Sequence, residues 1–292
     1  MKKFLLTSAV ALFSFSTVFA QEDDKMLFNH LSVGVTVGTT GLGFDVATTC
    51  TPYLQLRAGV SFLPLFKANE ELDLGGTGIN EINNGINEIN SRLASHGMEQ
   101  YQINRIATKL DVEGKVGFTN GKILVDFFPF KSTGFPFFIT AGAYFGTSGI
   151  VSVYNKTDGA FKFINQTNEA VNKYNQIAPS AGQEPFKEVD IYAELGEYQL
   201  RPDNNGNMKA EIKVNGFKPY LGIGFGRPVP KKNRVGFVFE LGCQFWGSPK
   251  VYCNGQELKP ENLDSKSGDI MKKISKISVY PVLNFRLCGR IL

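Results

Sequence analysis

The chain of 292 residues is 42% hydrophobic and contains 25 Phe and 31 Gly. Its formal charge is only +4 and its basic residues are scattered, so composition gives no basis for nucleic-acid binding. This length suits one large all-β domain or two small domains, and abundant Phe and Gly are typical of a membrane barrel with aromatic girdles outside and small residues where the wall curves.

The first 20 residues have the pattern of a secretory signal peptide. Lys2 and Lys3 precede a short apolar stretch at 4–15, and residues 18–20 (Val-Phe-Ala) are of the type that a signal peptidase reads. No later run of about 18 apolar residues occurs, so no membrane-spanning helix is expected. Residues 21–292 are therefore expected to form either a soluble exported domain or a β-barrel.

Period-two alternation at 31–39, 42–49 and 54–62 predicts three successive strands. One face of each strand carries Leu, Val and Phe, and the other carries Gly with polar and charged residues such as Asp45 and Arg57. A soluble barrel places its apolar residues inside, but the second face is too polar and too rich in glycine to form a core. The alternation therefore predicts an antiparallel transmembrane β-barrel whose apolar face points outward.

The alternation is interrupted at 65–108, which we interpret as a long outer loop. This segment contains the repeat Ile-Asn-Glu-Ile-Asn at 79–83 and again at 86–90. Its apolar residues have the a/d spacing of an amphipathic helix at 78–95. These residues are Ile79, Ile82, Ile86, Ile89 and Leu93. Such a helix either lies on the barrel mouth or presents this face to a partner.

Further alternation predicts the remaining strands. They lie at 110–128, 137–153, 210–226, 235–246 and 276–292. Two more polar insertions, at 155–207 and 247–273, are interpreted as outer loops, the first with a helix at 159–175. Phenylalanines on both sides of residues 129–136 are typical of an aromatic girdle at a membrane interface.

The Asn-Gly pairs at 120–121 and 215–216 leave two strand counts open. Read as hairpin turns, they give ten strands, but 122–128 is then too short to span a membrane and the long insertions fall on opposite sides. Read as bulges inside long strands, they give eight, with the short turns at 51–53, 129–136 and 228–234 on one side and the three long insertions on the other. Short periplasmic turns and long outer loops are the rule, so we expect an all-β up-and-down barrel of eight strands.

Three segments resemble outer-membrane barrel proteins of Bacteroidota. They are 120–130 (NGKILVDFFPF), 218–242 (KPYLGIGFG leading to VGFVFELG) and 281–287 (PVLNFRL). The resemblance covers the strands and not the loops, and the architecture is similar to that of small OmpA- and OmpX-type barrels. It implies the outer membrane of a Gram-negative cell as the location, with outer-membrane lipid and the barrel assembly machinery as partners.

Strand parity places five charged residues on the interior face. They are Asp45, Arg57, Asp126, Glu240 and Arg286. The interior of an eight-stranded barrel is just wide enough for side chains to fill it, so these charges are expected to form a paired network that supports the wall. No catalytic, cofactor-binding or metal site is predicted.

These observations predict a structural or surface-binding role, without enzymatic activity, in which the outer loops recognise a protein or glycan partner. Two alternatives stay open. One is a narrow channel. The other is a lipid-modifying enzyme, for which His96 beside Ser95 and Glu99 is the candidate site.

Overall fold

The computed structural model describes residues 30–77, 79–106, 109–130, 134–182, 184–185, 190–195, 197–231, 233–261 and 277–292. The signal peptide expected at 1–20 lies outside these residues. In chain order the strands and α-helices of the described residues are β1 (Leu31–Gly38), β2 (Gly41–Thr49), β3 (Leu54–Thr77), α1 (Ile79–Ser95), β4 (Lys109–Phe127), β5 (Phe137–Gly146), β6 (Gly149–Asn155), α2 (Lys162–Ile177), β7 (Asp190–Leu195), β8 (Tyr198–Leu200), β9 (Lys209–Lys213), β10 (Phe217–Gly226), β11 (Val235–Phe245), β12 (Lys250–Cys253), β13 (Gln256–Glu257) and β14 (Val279–Arg290). Neither helix is long and apolar enough to cross a membrane.

Eight of the strands close into an antiparallel barrel. The order is β1, β2, β3, β4, β5, β10, β11 and β14, and β14 pairs with β1 from Arg290 opposite Ser32 to Asn284 opposite Gly38. The expectation of eight strands is confirmed, and the count of ten is wrong. We call the end with the turns after β2, β4 and β10 the turn end, and the opposite end the loop end.

The Asn-Gly pairs do not form the expected bulges. β4 runs unbroken through Asn120 and Gly121, and the register of the β3–β4 pair shifts instead between Leu63 and Phe66 of β3. Pro64 lies inside this shift and has no amide hydrogen to donate to the ladder, which explains why the irregularity falls there.

Two of the predicted strands are each divided into two. Residues 147–148 separate β5 from β6, and residues 214–216 separate β9 from β10. The breaks lie side by side, because the Gly146 amide donates to the Gly216 carbonyl at 2.9 Å. Both predicted strands are therefore interrupted at the same height along the barrel wall.

The long insertions fold into a cap on the loop end. The cap consists of α1, α2, β6 to β9, β12, β13 and the loop-end parts of β3 and β4. In β3 this part begins at Phe66, and in β4 it ends at Val116, which pairs with Phe66. The expectation that 65–108 breaks the β pattern is wrong at its start, because β3 continues to Thr77 and pairs with β4 as far as Asp73 opposite Lys109. Among the residues of this last part whose burial is described, only Leu72 and Leu74 are apolar and buried, so its composition resembles that of a loop.

The cap has a hydrophobic core of its own. Its buried residues include Leu72, Val112, Val153, Ile164, Val171, Tyr174, Ile191 and Leu200. The predicted helices at 78–95 and 159–175 are α1 and α2, and both contribute to this core. On α1, Ile79, Ile82, Ile89 and Leu93 are buried there and Ile86 is partly buried against it. This face of α1 is therefore covered by the chain itself and is not the surface that a partner would meet.

The asparagines of the α1 repeat bind the segment that follows the helix. The Asn83 side chain accepts from the Ile106 amide at 2.8 Å and donates to the Ile106 carbonyl at 3.2 Å. Asn90, one heptad later, makes the same pair of bonds with Ile103, both at 2.9 Å. The repeat thus holds residues 103–106 against the helix.

We expect Asn90→Ala to cost about 1 kcal/mol locally, because a part-buried amide and carbonyl of Ile103 lose their partner. Hydrogen exchange at Ile103 should become faster, while exchange in the barrel strands stays unchanged. Asn87→Ala is the matched control, since Asn87 lies on the same helix and is exposed. Equal exchange at Ile103 in the two variants would contradict this role of Asn90.

Candidate functional site in the barrel interior

The two faces of the barrel wall differ sharply in polarity. Apolar side chains on the outer face are exposed, among them Val35 at 48%, Leu221 at 54% and Phe239 at 41%. The interior face carries buried polar residues: Ser32, Thr36, Asp45, Gln55, Arg57, Ser61, Asn120, Lys122, Asp126, Thr140, Lys218, Glu240, Gln244, Asn284 and Arg286. The structure therefore places all five sequence-predicted interior charges inside the barrel.

Arg57 is the centre of the first interior cluster. Its Nε and Nη2 donate to the two carboxylate oxygens of Asp126, each at 2.7 Å, and Nη2 also reaches Glu240 Oε2 at 2.5 Å. Thr140 donates to Asp126 at 2.6 Å, and the Tyr220 hydroxyl donates to Glu240 at 2.6 Å. One guanidinium thus joins β3, β4 and β11 across the interior, with each carboxylate held by a second donor.

Asp45 is the centre of the second cluster. Arg286 donates through Nε to Asp45 Oδ1 at 2.6 Å, and Lys122 Nζ lies 2.9 Å from Asp45 Oδ2. Thr36 adds a weaker bond to Oδ2 at 3.3 Å. Because these residues lie on β1, β2, β4 and β14, the cluster crosses the seam where the first and last strands meet.

Sequence reasoning missed two interior cations, Lys122 and Lys218. Lys122 has the same strand parity as Asp126 in β4, so parity alone could have found it. Lys218 donates to the Asn120 side chain at 2.8 Å and to the Thr147 carbonyl at 3.0 Å. Its neutral acceptors are far from it in the chain, and no sequence signal links them to it.

Three aromatic rings close the loop end of the interior. Trp246 and Tyr280 stack with ring centroids 4.3 Å apart, and Phe118 meets each of them edge-on at 5.9 Å. The indole Nε1 donates to the buried Gln244 side chain at 2.9 Å. Ile150, Val151, Ile212, Val214 and Val251 pack around this group, which we call the aromatic stopper.

The turn after β10 closes the opposite end. Residues 228–230 (Pro-Val-Pro) are buried, although basic residues flank them on both sides. The Val229 amide donates to the Gln55 side chain at 3.0 Å, and the Pro228 carbonyl accepts from Arg286 Nη1 at 2.8 Å. The turn is thus attached to the interior network, and we call it the turn plug.

The alternative site at His96 lies on the surface of the cap. His96 and Ser95 are exposed at the end of α1, with Ser95 Oγ and His96 Nδ1 at 3.2 Å. Ser95 also donates to the Arg92 carbonyl at 2.8 Å, so its hydroxyl proton is directed to the helix end. Among the described residues, no group of three or more His, Cys, Asp or Glu is placed to hold a metal ion.

Comparison with models of protein families and with curated proteins gives no match to this chain. Among solved structures, the fold is similar to CarO2 of Acinetobacter baumannii, with 18% identity and a TM-score of 0.41 over 91% of this chain and 100% of that one. It is also similar to CarO of the same organism, with 13% identity and a TM-score of 0.41 over 92% and 99%. Neither likeness assigns an activity, a ligand or a location to this chain.

Proposed function

We propose that this protein is a sealed outer-membrane barrel that anchors a folded cap at the cell surface. The cap, in this proposal, binds a protein or glycan partner and the barrel has a structural role. The observation that carries the proposal is the separation of the two parts. The cap has its own hydrophobic core, whereas the barrel has a polar interior and an apolar exterior. No reaction is assigned to the chain.

The dimensions of the apolar exterior support a membrane location. On β10 the exposed Phe217 and Phe225 lie eight residue steps apart, about 26 Å along the strand. A strand tilt of about 40° reduces this to about 20 Å along the membrane normal, close to the apolar band of outer-membrane barrels. Near the turn end, Phe135 contacts Phe130 and Phe225 with ring centroids 6.1 and 5.4 Å apart, as in an interfacial girdle.

The orientation follows from the lengths of the connections. The turn end has only short connections between strands, and the loop end has the cap. Outer-membrane barrels place short turns in the periplasm and long connections outside, which puts the cap on the cell surface. Assembly would then require the barrel assembly machinery, and the exterior would contact outer-membrane lipid.

The interior argues against the channel alternative. The aromatic stopper closes one end, the turn plug closes the other, and paired charges occupy the space between them. In this proposal, the packing interrupts the water path that an ion would need to cross the barrel. We therefore propose that the protein acts by binding a partner at its cap and not by transport through its barrel.

A variant with shortened connections tests the division between anchor and cap. Three long connections can each be replaced by an Asn-Gly turn that joins residues paired in adjacent strands. The joined pairs are Phe62 and Thr119, Phe145 and Phe217, and Phe245 and Val279. We expect the variant to insert into outer membranes with heat-modifiable mobility in gels, because the interior network is retained. It should fail to bind any ligand that the full chain binds on a glycan array.

Shortening also removes Phe118 and Trp246, so a full-length Phe118→Ala/Trp246→Ala variant is the matched control. It lacks most of the stopper but keeps the cap, and it should bind as the native chain does. Loss of insertion in the shortened variant, or equal binding with and without the cap, would contradict the proposal.

A further inference from the structure

The turn end of the barrel carries a rim of basic side chains. These are Arg227, Lys231 and Arg234 in the turn after β10, and Arg290 at the end of β14. The described residues at this end, 49–54, 127–130, 134–137, 226–231, 233–235 and 289–292, contain no Asp or Glu. The rim is therefore positive within the part of the chain that the structure describes.

The loop end is different, because several of its cations face carboxylates. Lys209 lies 2.8 Å from Glu211, Lys250 lies 3.0 Å from Glu257, and Lys109 lies 2.8 Å from Glu71. Such exposed pairs leave little charge for an anionic ligand. The charges of the molecule are thus distributed asymmetrically along the barrel axis.

Neutral partners position the guanidinium groups of the rim. Arg290 Nη1 donates to the Lys231 carbonyl at 2.8 Å and to the Pro230 carbonyl at 3.3 Å. The Arg227 guanidinium lies 4.7 Å from the centre of the Phe128 ring. Carbonyls and rings orient these groups without cancelling their charge.

The rim adjoins the apolar exterior. Phe237 is 76% exposed, Val235 is 56% exposed, and Ile291 and Leu292 are 60% and 68% exposed. Basic side chains beside exposed apolar ones are the pattern of a membrane interface, where cations meet lipid phosphates. An anion bound by the rim would lie beside the apolar exterior. A lipid phosphate fits this position, because the acyl chains of the same lipid can contact the apolar exterior.

We propose that the basic rim binds the phosphate groups of anionic phospholipids in the periplasmic leaflet. This inference depends on the proposed function, since it takes the turn end to face the periplasm. Guanidinium groups suit the task because their donors match phosphate oxygens in pairs. The ligand is a phosphodiester with a net negative charge, such as phosphatidylglycerol. The zwitterionic phosphatidylcholine should bind much less well.

Native mass spectrometry of the detergent-solubilised full chain, titrated with phosphatidylglycerol or phosphatidylcholine, tests this. We expect the native protein to retain phosphatidylglycerol preferentially. An Arg227→Gln/Arg234→Gln variant should bind it more weakly by roughly fivefold for each cation removed. The preference should also decrease as salt is raised, because exposed charges are screened. The matched control, Lys209→Gln/Lys250→Gln, removes the same charge at the loop end and should bind as the native chain does.

Equal retention of the two lipids by the native chain would overturn the inference. Equal weakening in the rim and loop-end variants would also overturn it, because overall charge would then explain the binding. Rim-dependent binding to purified peptidoglycan, without a lipid preference, would assign the rim to a cell-wall partner instead. Heat-modifiable gel mobility and insertion into vesicles, measured on the same samples, separate failure of the proposed function from failure of this inference.

Discussion

Replacing Arg57 by Ala should lower the free energy of unfolding by about 3–5 kcal/mol. The substitution leaves Asp126 and Glu240 buried without the cation that both carboxylates bind, at 2.7 and 2.5 Å. Breaking a buried ion pair on one side is costly because the remaining carboxylate keeps its charge but loses its cation and is shielded from water. Urea unfolding of the protein in vesicles or micelles, followed by tryptophan fluorescence, measures the change.

A compensated variant separates charge from packing. Arg57→Met combined with Asp126→Asn and Glu240→Gln removes all three charges and should recover most of the stability lost in Arg57→Ala. Lys209→Ala, which breaks an exposed pair, should cost less than about 1 kcal/mol. An Arg57→Ala variant as stable as Lys209→Ala would show that the interior network does not support the wall.

Replacing Trp246 by Ala should remove the main part of the aromatic stopper and cost about 3–5 kcal/mol. Tyr220 of β10 pairs with Gln244 of β11, so Lys218 and Trp246, each two residues closer to the loop end, lie opposite each other. Loss of the indole should therefore also give water access to Lys218 in the interior. Acetylation of Lys218 by a water-soluble reagent, measured by mass spectrometry on the folded protein, reports this access.

The neighbouring Phe245 provides the control for the stopper. Its side chain lies on the apolar exterior and is 44% exposed, so Phe245→Ala should leave Lys218 protected. Acetylation of Lys218 in the folded native protein would contradict the seal. So would continued protection in Trp246→Ala.

The sequence predicted the barrel well because strand parity is a strict constraint. A side chain that is two residues from another lies on the same face, so alternation alone assigned Arg57, Asp126 and Glu240 to the interior. Parity could not say that Arg57 would meet Glu240, because that contact joins strands far apart in the chain. Arg57 and Glu240 are separated by 183 residues.

The cap was predicted less well for two physical reasons. The end of β3 is a strand with charged side chains on its exposed face, and its few apolar positions do not stand out as alternation. The role of Asn83 and Asn90 depends on the segment at 103–106, which has no pattern of its own. The helix itself was predicted, but the amphipathic face that suggested a partner is buried within the cap.

The turn plug shows a different limit. Arg227 and Lys231 enclose the Pro-Val-Pro segment, and basic residues indicate a solvated turn. The apolar residues between them instead enter the barrel, where Gln55 binds both polar groups of the Val229 backbone. Local composition therefore described the rim of this turn but not its centre.

Conductance of the native full-length protein in planar lipid bilayers tests the central claim most directly. Insertion is verified first by heat-modifiable mobility and by resistance of the barrel strands to protease. With a sealed interior, we expect no discrete openings at about 100 mV of either sign. Stepwise openings of the verified native barrel would contradict the account, because they would require a continuous water path past the stopper, the charge network and the turn plug.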